Sequence, residues 1–228
     1  AIGNDLATAH ALGGVLLEFE ENQIIAVATD GRRLAKMEGP ANAFGGHATG
    51  DATTIVPTRA MQLIERLLQD ADAEVQVAAR ANDLLIRTPV ATLYTQLVEG
   101  RFPRWREVFP NRQSAVNVQI AAGPLHSALR QAAVATSKES RGLDFTFGEG
   151  SLVIEGLTAE VGQARVEMPV EYTGKPVVIS MDQRFVGDFL KVLDPEKNVN
   201  FELQDEESPA VLSTEDGYAY VVMPLARA

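Results

Sequence analysis

The stretch from Gly13 to Glu38, GGVLLEFEENQIIAVATDGRRLAKME, decides the fold, because it returns in altered form from Arg141 to Pro169 as RGLDFTFGEGSLVIEGLTAEVGQARVEMP. Gly14 aligns with Gly142. After each glycine the apolar residues alternate, Val15, Leu17 and Phe19 in the first copy and Leu143, Phe145 and Phe147 in the second, a period of two that gives a half-buried strand. A polar turn follows, Glu21-Asn22 or Gly148 to Gly150, and then a second apolar run, Ile24 to Ala28 or Leu152 to Ile154. Each copy therefore opens with a hairpin. In the first copy Asp30-Gly31 supplies the residue types of a further tight reversal, with Arg32 and Arg33 beside Leu34 and Ala35 at the sheet rim.

The repeat extends onward. TTIVPTRAMQLIERLLQD, from Thr53, runs parallel to PVVISMDQRFVGDFLKVL, from Pro176, with Ile55 placed opposite Val178. Each copy then reads strand, helix and three strands, mostly antiparallel by their short polar turns. The helices are expected over Arg59 to Gln69, with Met61, Ile64, Leu67 and Leu68 on one face, and over Asp182 to Leu193, with Phe185, Val186, Phe189 and Leu193. A Gly- and Ala-rich loop, Pro40 to Asp51, lengthens the first copy. The second copy has an extra helix, Pro124 to Ser137, burying Leu125, Ala128, Leu129 and Ala132. The residues before Leu12 are too few for a matching strand and helix, so the chain is expected to begin inside its first repeat. EGRFPRWREVFPNR, Glu99 to Arg112, reads as a packed linker. The fold class is α+β, with domains at 1–115, linker included, and 116–228.

Composition narrows the chemistry. The chain has 228 residues, 46% of them hydrophobic, enough for two ordinary cores. Zero cysteines exclude disulfides, thiolate metal sites and cysteine nucleophiles. No apolar run approaches the roughly 20 residues that span a bilayer, so the expected location is the cytoplasm. His10, His47 and His126 lack ligand-like spacing, and Gly148-Glu149-Gly150 precedes a strand rather than the helix a dinucleotide fingerprint needs. Nothing supports an enzyme, a metal or a cofactor. The 20 Lys plus Arg against 31 Asp plus Glu give a net charge of -11, so a DNA role requires a basic face set apart from an acidic exterior. Asp205-Glu206-Glu207 reads as solvated charge in a turn. The tail YAYVVMPLARA, Tyr218 to Ala228, alternates as a last strand until Pro224 takes it out of the sheet, and Met223 and Leu225 then either tuck into their own core, the reading local features favour, or stand at the rim of an adaptable apolar pocket for peptides.

ATDGRRLA (Ala28 to Ala35), LVEGRFPRWREVFP (Leu97 to Pro110) and YVVMPLAR (Tyr220 to Arg227) together resemble the bacterial DNA polymerase III beta subunit, the sliding clamp family, from about Leu12 to the C-terminus. The resemblance implies repeated clamp domains with antiparallel sheets outside and helices on an inner face. By it, the chain covers most of the middle domain and the C-terminal domain of a non-catalytic processivity factor. That factor encircles double-stranded DNA without regard to base sequence. It tethers the DNA polymerase III alpha subunit, the clamp loader and other replication or repair proteins, and it works as a head-to-tail homodimer.

The peptide-binding pocket the resemblance implies comprises Leu12, Thr29, Gly31, Arg32, Arg33, Leu34, Pro110, Asp182, Phe185, Pro209, Val221, Val222, Met223, Pro224 and Leu225. Helices lining a channel would present Arg59, Arg66, Arg130, Lys138, Arg184 and Lys191 to DNA. Matching dimer-interface positions are Val134, Ala135, Glu160 and Gln163. Asp182 stands where the family usually has Asn, Phe185 where Tyr is frequent and Arg32 where His occurs, and Ala226 is inserted before Arg227. A two-domain peptide-binding scaffold of the same fold that does not encircle DNA is the alternative.

Overall fold

The computed structural model describes residues 12–20, 22–45, 53–68, 70, 73–109, 116–137, 141–159 and 161–226. The chain divides into two compact units, Ala1–Trp105 and Arg106–Ala228.

In the first unit β1 (Gly14–Phe19), β2 (Gln23–Thr29), β3 (Arg33–Pro40) and β4 (Thr54–Pro57) lie antiparallel in the order β4-β1-β2-β3. Helix α1 (Thr58–Leu67) follows, then β5 (Gln76–Ala79), β6 (Asp83–Arg87) and β7 (Thr92–Gln96) as a three-stranded antiparallel sheet. Leu17, Val56, Ala60, Ile64, Leu84 and Ile86 form one buried cluster, so strand alternation and the helical apolar stripe meet in a single core. Trp105 is buried, and its indole N–H donates to Glu18 Oε1 at 3.3 Å. That contact packs the expected linker onto this unit.

The second unit repeats the plan. β8 (Val116–Ala121) and α2 (Ala122–Ala132) precede β9 (Gly142–Gly148), β10 (Ser151–Thr158), β11 (Gly162–Pro169) and β12 (Val177–Asp182), which lie in the order β11-β10-β9-β12. After α3 (Gln183–Leu190) come β13 (Asn198–Leu203), β14 (Ala210–Ser213) and β15 (Tyr218–Val222), with β8 on the far side of β13. Glu149 and Gly150 both have positive φ, 51° and 81°, in the two-residue reversal from β9 to β10. Phe147 and Phe201 pack with ring centroids 5.0 Å apart, and Phe189 stacks on Tyr218 at 5.1 Å.

The repeat holds, with one change of register. Leu16 pairs with Ile55 and Asp144 with Ser180, so Ile55 corresponds to Ser180 and not to Val178. The helix caps agree, Pro57 for α1 and Asp182 for α3. A slip of two residues keeps every side chain on its own face, so alternation in the sequence cannot reveal it.

Helix ends also differ from expectation. α1 stops at Leu67, and Leu68, at φ -89° and ψ 84°, leaves the helix and is exposed. α3 stops at Leu190, and Leu193 N–H turns back to the Leu190 carbonyl at 3.3 Å ahead of Pro195. α2 begins two residues before Pro124 because Ala122 and Gly123 donate to the Lys197 and Pro195 carbonyls, 2.9 and 2.8 Å away. These are first-turn donors with no partner inside the helix. Its last turn tightens to a 3-10 turn over Ala133–Ala135.

Gly14 is fixed by packing. A Cβ there would lie 2.6 Å from Ile55 Cγ2 and 2.7 Å from the Val56 carbonyl oxygen, whereas one at Gly39 would meet nothing within 4 Å. Gly14→Ala should therefore lower stability by about 1–3 kcal/mol in urea unfolding, the cost typical of overpacking, while Gly39→Ala should leave it within about 0.5 kcal/mol.

Candidate functional site

β12 is the edge strand of its sheet, and the tail after β15 lies along it. Leu225 N–H donates to the Ser180 carbonyl at 2.8 Å, and a Cβ on Gly142 would come within 3.1 Å of Leu225 Cδ1. The tail thereby covers part of an otherwise open edge, and Gly142 leaves room for it. Beside it is a groove of about 470 Å³ lined by Ser180, Glu206, Glu207, Met223, Pro224, Leu225 and Ala226. Met223 and Leu225 are 41% and 37% exposed, apolar side chains left facing water.

Val221 and Val222 are sealed in β15, at 1% and 0% exposure. Pairing with β14, Val221 to Val211 and Val222 to Ala210, holds them in the sheet, so their part is to position the tail. Pro209 is half-buried immediately before β14. Ser180, Glu206 and Glu207 were not among the expected site residues. The acidic turn is exposed, as read from the sequence, but only the fold shows that two of its residues wall the groove.

Asp182 caps α3, accepting the Arg184 N–H on Oδ1 at 2.9 Å. The Arg184 guanidinium closes on the same carboxylate, Nε to Oδ1 at 3.1 Å and Nη2 to Oδ2 at 2.6 Å, and lies 5.7 Å from the Phe185 ring centroid. Asp182 and Phe185 are both buried, so the structure gives them a bracing part at the root of α3. Burial pushes the Asp182 carboxyl up, but hydrogen bonds from the Arg184 side chain and backbone, with the charges of Arg184 and Arg141, hold it below the usual range.

A depressed native pKa stabilises the fold fully above the unfolded value of about 3.9. That contribution is lost as pH falls through the lower folded value. Asp182→Ala should cost about 1 kcal/mol at pH 7, and urea unfolding should show the deficit shrinking as pH drops below about 3.9.

The turn of the first unit is built around Asp30. Its Oδ1 accepts the Arg32 and Arg33 N–H groups at 3.0 and 3.1 Å, and its Oδ2 takes Arg33 Nε at 2.9 Å. Thr29 Oγ1 donates to the Arg33 carbonyl at 2.7 Å and accepts the Gly31 N–H at 3.1 Å. Gly31 sits at φ 85°, a left-handed conformation that favours glycine. Arg33 thus has Asp30 for a partner, Arg32 is exposed, Leu12 is half-buried and Leu34, at 2% exposure, belongs to the interior. Leu34, sealed within β3, offers no open side chain for an anchor. Pro110 lies outside the described residues.

Of the cations expected to face DNA, Arg59, Arg66 and Arg130 are exposed on α1 and α2. Arg184 is bound to Asp182, and Lys191 pairs with Asp188 at 3.1 Å. Lys138 lies outside the described residues. Of the interface positions Val134 is 68% exposed and Gln163 is exposed, while Ala135, at 3%, packs into the core because the 3-10 turn rotates it inward. Glu160 is outside the described residues; Leu157, at 73%, and Val161 add exposed apolar surface nearby in sequence. His126 is half-buried on α2, and His10 and His47 lie outside the described residues. Among the described residues no cluster of His, Asp or Glu could hold a metal, and no helix is long and apolar enough to cross a membrane.

The described chain is built from two copies of this α+β module. The crystal structure of the DNA polymerase III subunit beta from Pseudomonas aeruginosa is similar with a TM-score of 0.87 and 30% identity, covering 99% of this chain and 60% of that one. The chain belongs to the DNA polymerase III beta subunit family, matching its central domain over residues 1–104 and its C-terminal domain over residues 106–226. The Beta sliding clamp of Chlamydia muridarum is 29% identical over 216 residues, 95% of this chain and 57% of that protein. A Pseudomonas aeruginosa sliding clamp solved bound to griselimycin has a TM-score of 0.85 at 30% identity, over 99% of this chain and 60% of that one. The chain thus spans somewhat over half the length of the relatives it matches.

Proposed function

We propose that this chain forms the middle and C-terminal domains, divided in the 1–115 and 116–228 stretches, of a cytoplasmic, non-catalytic sliding clamp. The complete protein closes head to tail as a homodimer around duplex DNA. It tethers the DNA polymerase III alpha subunit, the clamp loader and other replication or repair proteins through the tail-lined groove. The observation that carries this reading is the pair of exposed apolar side chains, Met223 and Leu225, held by the bond from Leu225 to Ser180 in a chain of this family. The first-unit residues Leu12, Thr29, Gly31, Arg32, Arg33 and Leu34, with Pro110, join the proposal through the family resemblance alone. Val134, Leu157 and Val161 supply exposed apolar side chains, and Gln163 an exposed polar one, suited to the subunit contact.

A peptide burying one or two Leu or Phe side chains in the groove gains about 1.5–3 kcal/mol from each, before ordering costs. Met223→Asp places an unpaired charge there. Calorimetry with a Gln- and Leu-containing peptide should show at least about a tenfold loss of affinity, with an unchanged melting transition because Met223 is exposed. Equal affinity for the variant and the parent would move the site elsewhere. Griselimycin, the ligand of the Pseudomonas aeruginosa relative, should compete with the peptide. Truncation after Val222, which removes Met223 and Leu225 but keeps β15 whole, should weaken peptide binding to a similar degree.

The pairing of Arg184 and Lys191 with aspartates favours the second reading, a peptide-binding scaffold that does not encircle DNA. Linear duplex separates the two. A clamp should bind it weakly, without base preference, and replacing Arg59, Arg66 or Arg130 by Gln should reduce the salt slope by about one for each phosphate that the variant leaves unneutralised. Affinity that does not change with salt supports the scaffold.

A further inference from the structure

Met223 brings a thioether to the groove, beside Leu225. It is 41% exposed, and of the other methionines only Met37, at 43% on β3 of the first unit, is open to a similar degree. Met61 and Met168 are half-buried and Met181 is sealed in the core. The chain has no cysteine, so no thiol stands ahead of a methionine as the target of a two-electron oxidant. At the groove the reduced thioether is flexible, polarisable apolar surface, suited to an apolar anchor.

We propose that Met223 is an oxidation site through which peroxide controls the groove: as the thioether it accepts a peptide's apolar anchor, and as the sulfoxide it turns that anchor away. Hydrogen peroxide supplies the oxygen atom. A lone pair on Sδ attacks it, the O–O bond breaks as the S–O bond forms, and the second oxygen leaves as water after proton transfer. The sulfur loses two electrons and the peroxide gains them. The product is a polar, chiral side chain. A Leu or Phe anchor pressed onto the new oxygen strips it of water and returns no hydrogen bond, since neither side chain holds a donor. Exposure makes the change selective, because the groove rim reacts while Met181 stays shielded and the core keeps its packing. Sulfoxide reductases return the thioether, so the change is reversible. The switch acts through the groove and rests on the groove being a peptide site, to which it adds regulation.

The test exposes the full chain to hydrogen peroxide, locates the added oxygen by peptide mass mapping, and follows binding of a fluorescent peptide with a Leu-Phe anchor by anisotropy. Met223 and Met37 should gain oxygen well before Met181. Affinity should fall by about fivefold or more at an unchanged melting transition, and the two methionine sulfoxide reductases, one for each epimer, should restore it. Met37→Leu should bind like the parent and lose affinity equally on treatment. Met223→Leu is compared with itself: whatever its starting affinity, peroxide should leave that value where it was. Full oxidation of Met223 without loss of affinity, a loss that persists in Met223→Leu, or a Met223 that resists while Met37 reacts overturns the switch and leaves the groove as a peptide site. Failure of the untreated protein to bind the peptide overturns the groove reading and the switch together.

Discussion

The tail-lined groove of the second unit hangs from the antiparallel pairing of β9 with β12. That ladder sets Asp144 opposite Ser180 and Gly142 opposite Asp182. The Ser180 hydroxyl donates to Asp144, the Ser180 carbonyl takes the Leu225 N–H, and two residues later Asp182 caps α3. One register thus fixes a helix start and the path of the tail. Gly142 has the same consequence from the other strand, since a larger residue would crowd Leu225. The exposed pair Met223 and Leu225 is therefore presented by a rigid sheet edge, which lowers the entropy lost when a partner binds.

The first unit has the same pairing between β1 and β4, with Gly14 opposite Pro57. There the close packing of Gly14 on Val56 takes the place of the tail contact. The shared plan was legible in the sequence because strand alternation and the helix stripe recur in order. Less legible was anything set by a distant backbone: the start of α2, whose free N–H groups bond to Pro195 and Lys197, and the early end of α3 before Pro195. The two-residue register difference at β4 and β12 was invisible for the reason that an even slip preserves faces.

In the tail, residue types left Met223 and Leu225 open between core and rim, and the structure leaves them exposed because a proline after the final strand carries its neighbours out of the sheet. Residue types did not identify which neighbours would be sealed. Leu34, Val222 and Ala135 look in sequence like any other apolar residue at a rim, and only the ladder and the 3-10 turn put them inside. Charge was the harder matter. Arg33 and Arg184 read as available cations, yet each lies within reach of an aspartate two or three residues away, Asp30 and Asp182. Local hydrogen bonding of this kind competes with a ligand for the same guanidinium. The net charge of -11 is thus compatible with binding through Arg59, Arg66 and Arg130 only if those exposed cations act together.

The chain contains five methionines, Met37, Met61, Met168, Met181 and Met223, so methyl-labelled methionine yields a spectrum with one probe at the groove. Met181 reports the core, and Met37 an exposed strand of the first unit. Titrating a Leu-containing peptide into the labelled protein tests most directly whether the tail-lined groove is the binding site. A shift of the Met223 methyl that saturates with peptide, while Met168 and Met181 hold still, is the predicted result. A Met223 signal that stays fixed while the peptide demonstrably binds would contradict it.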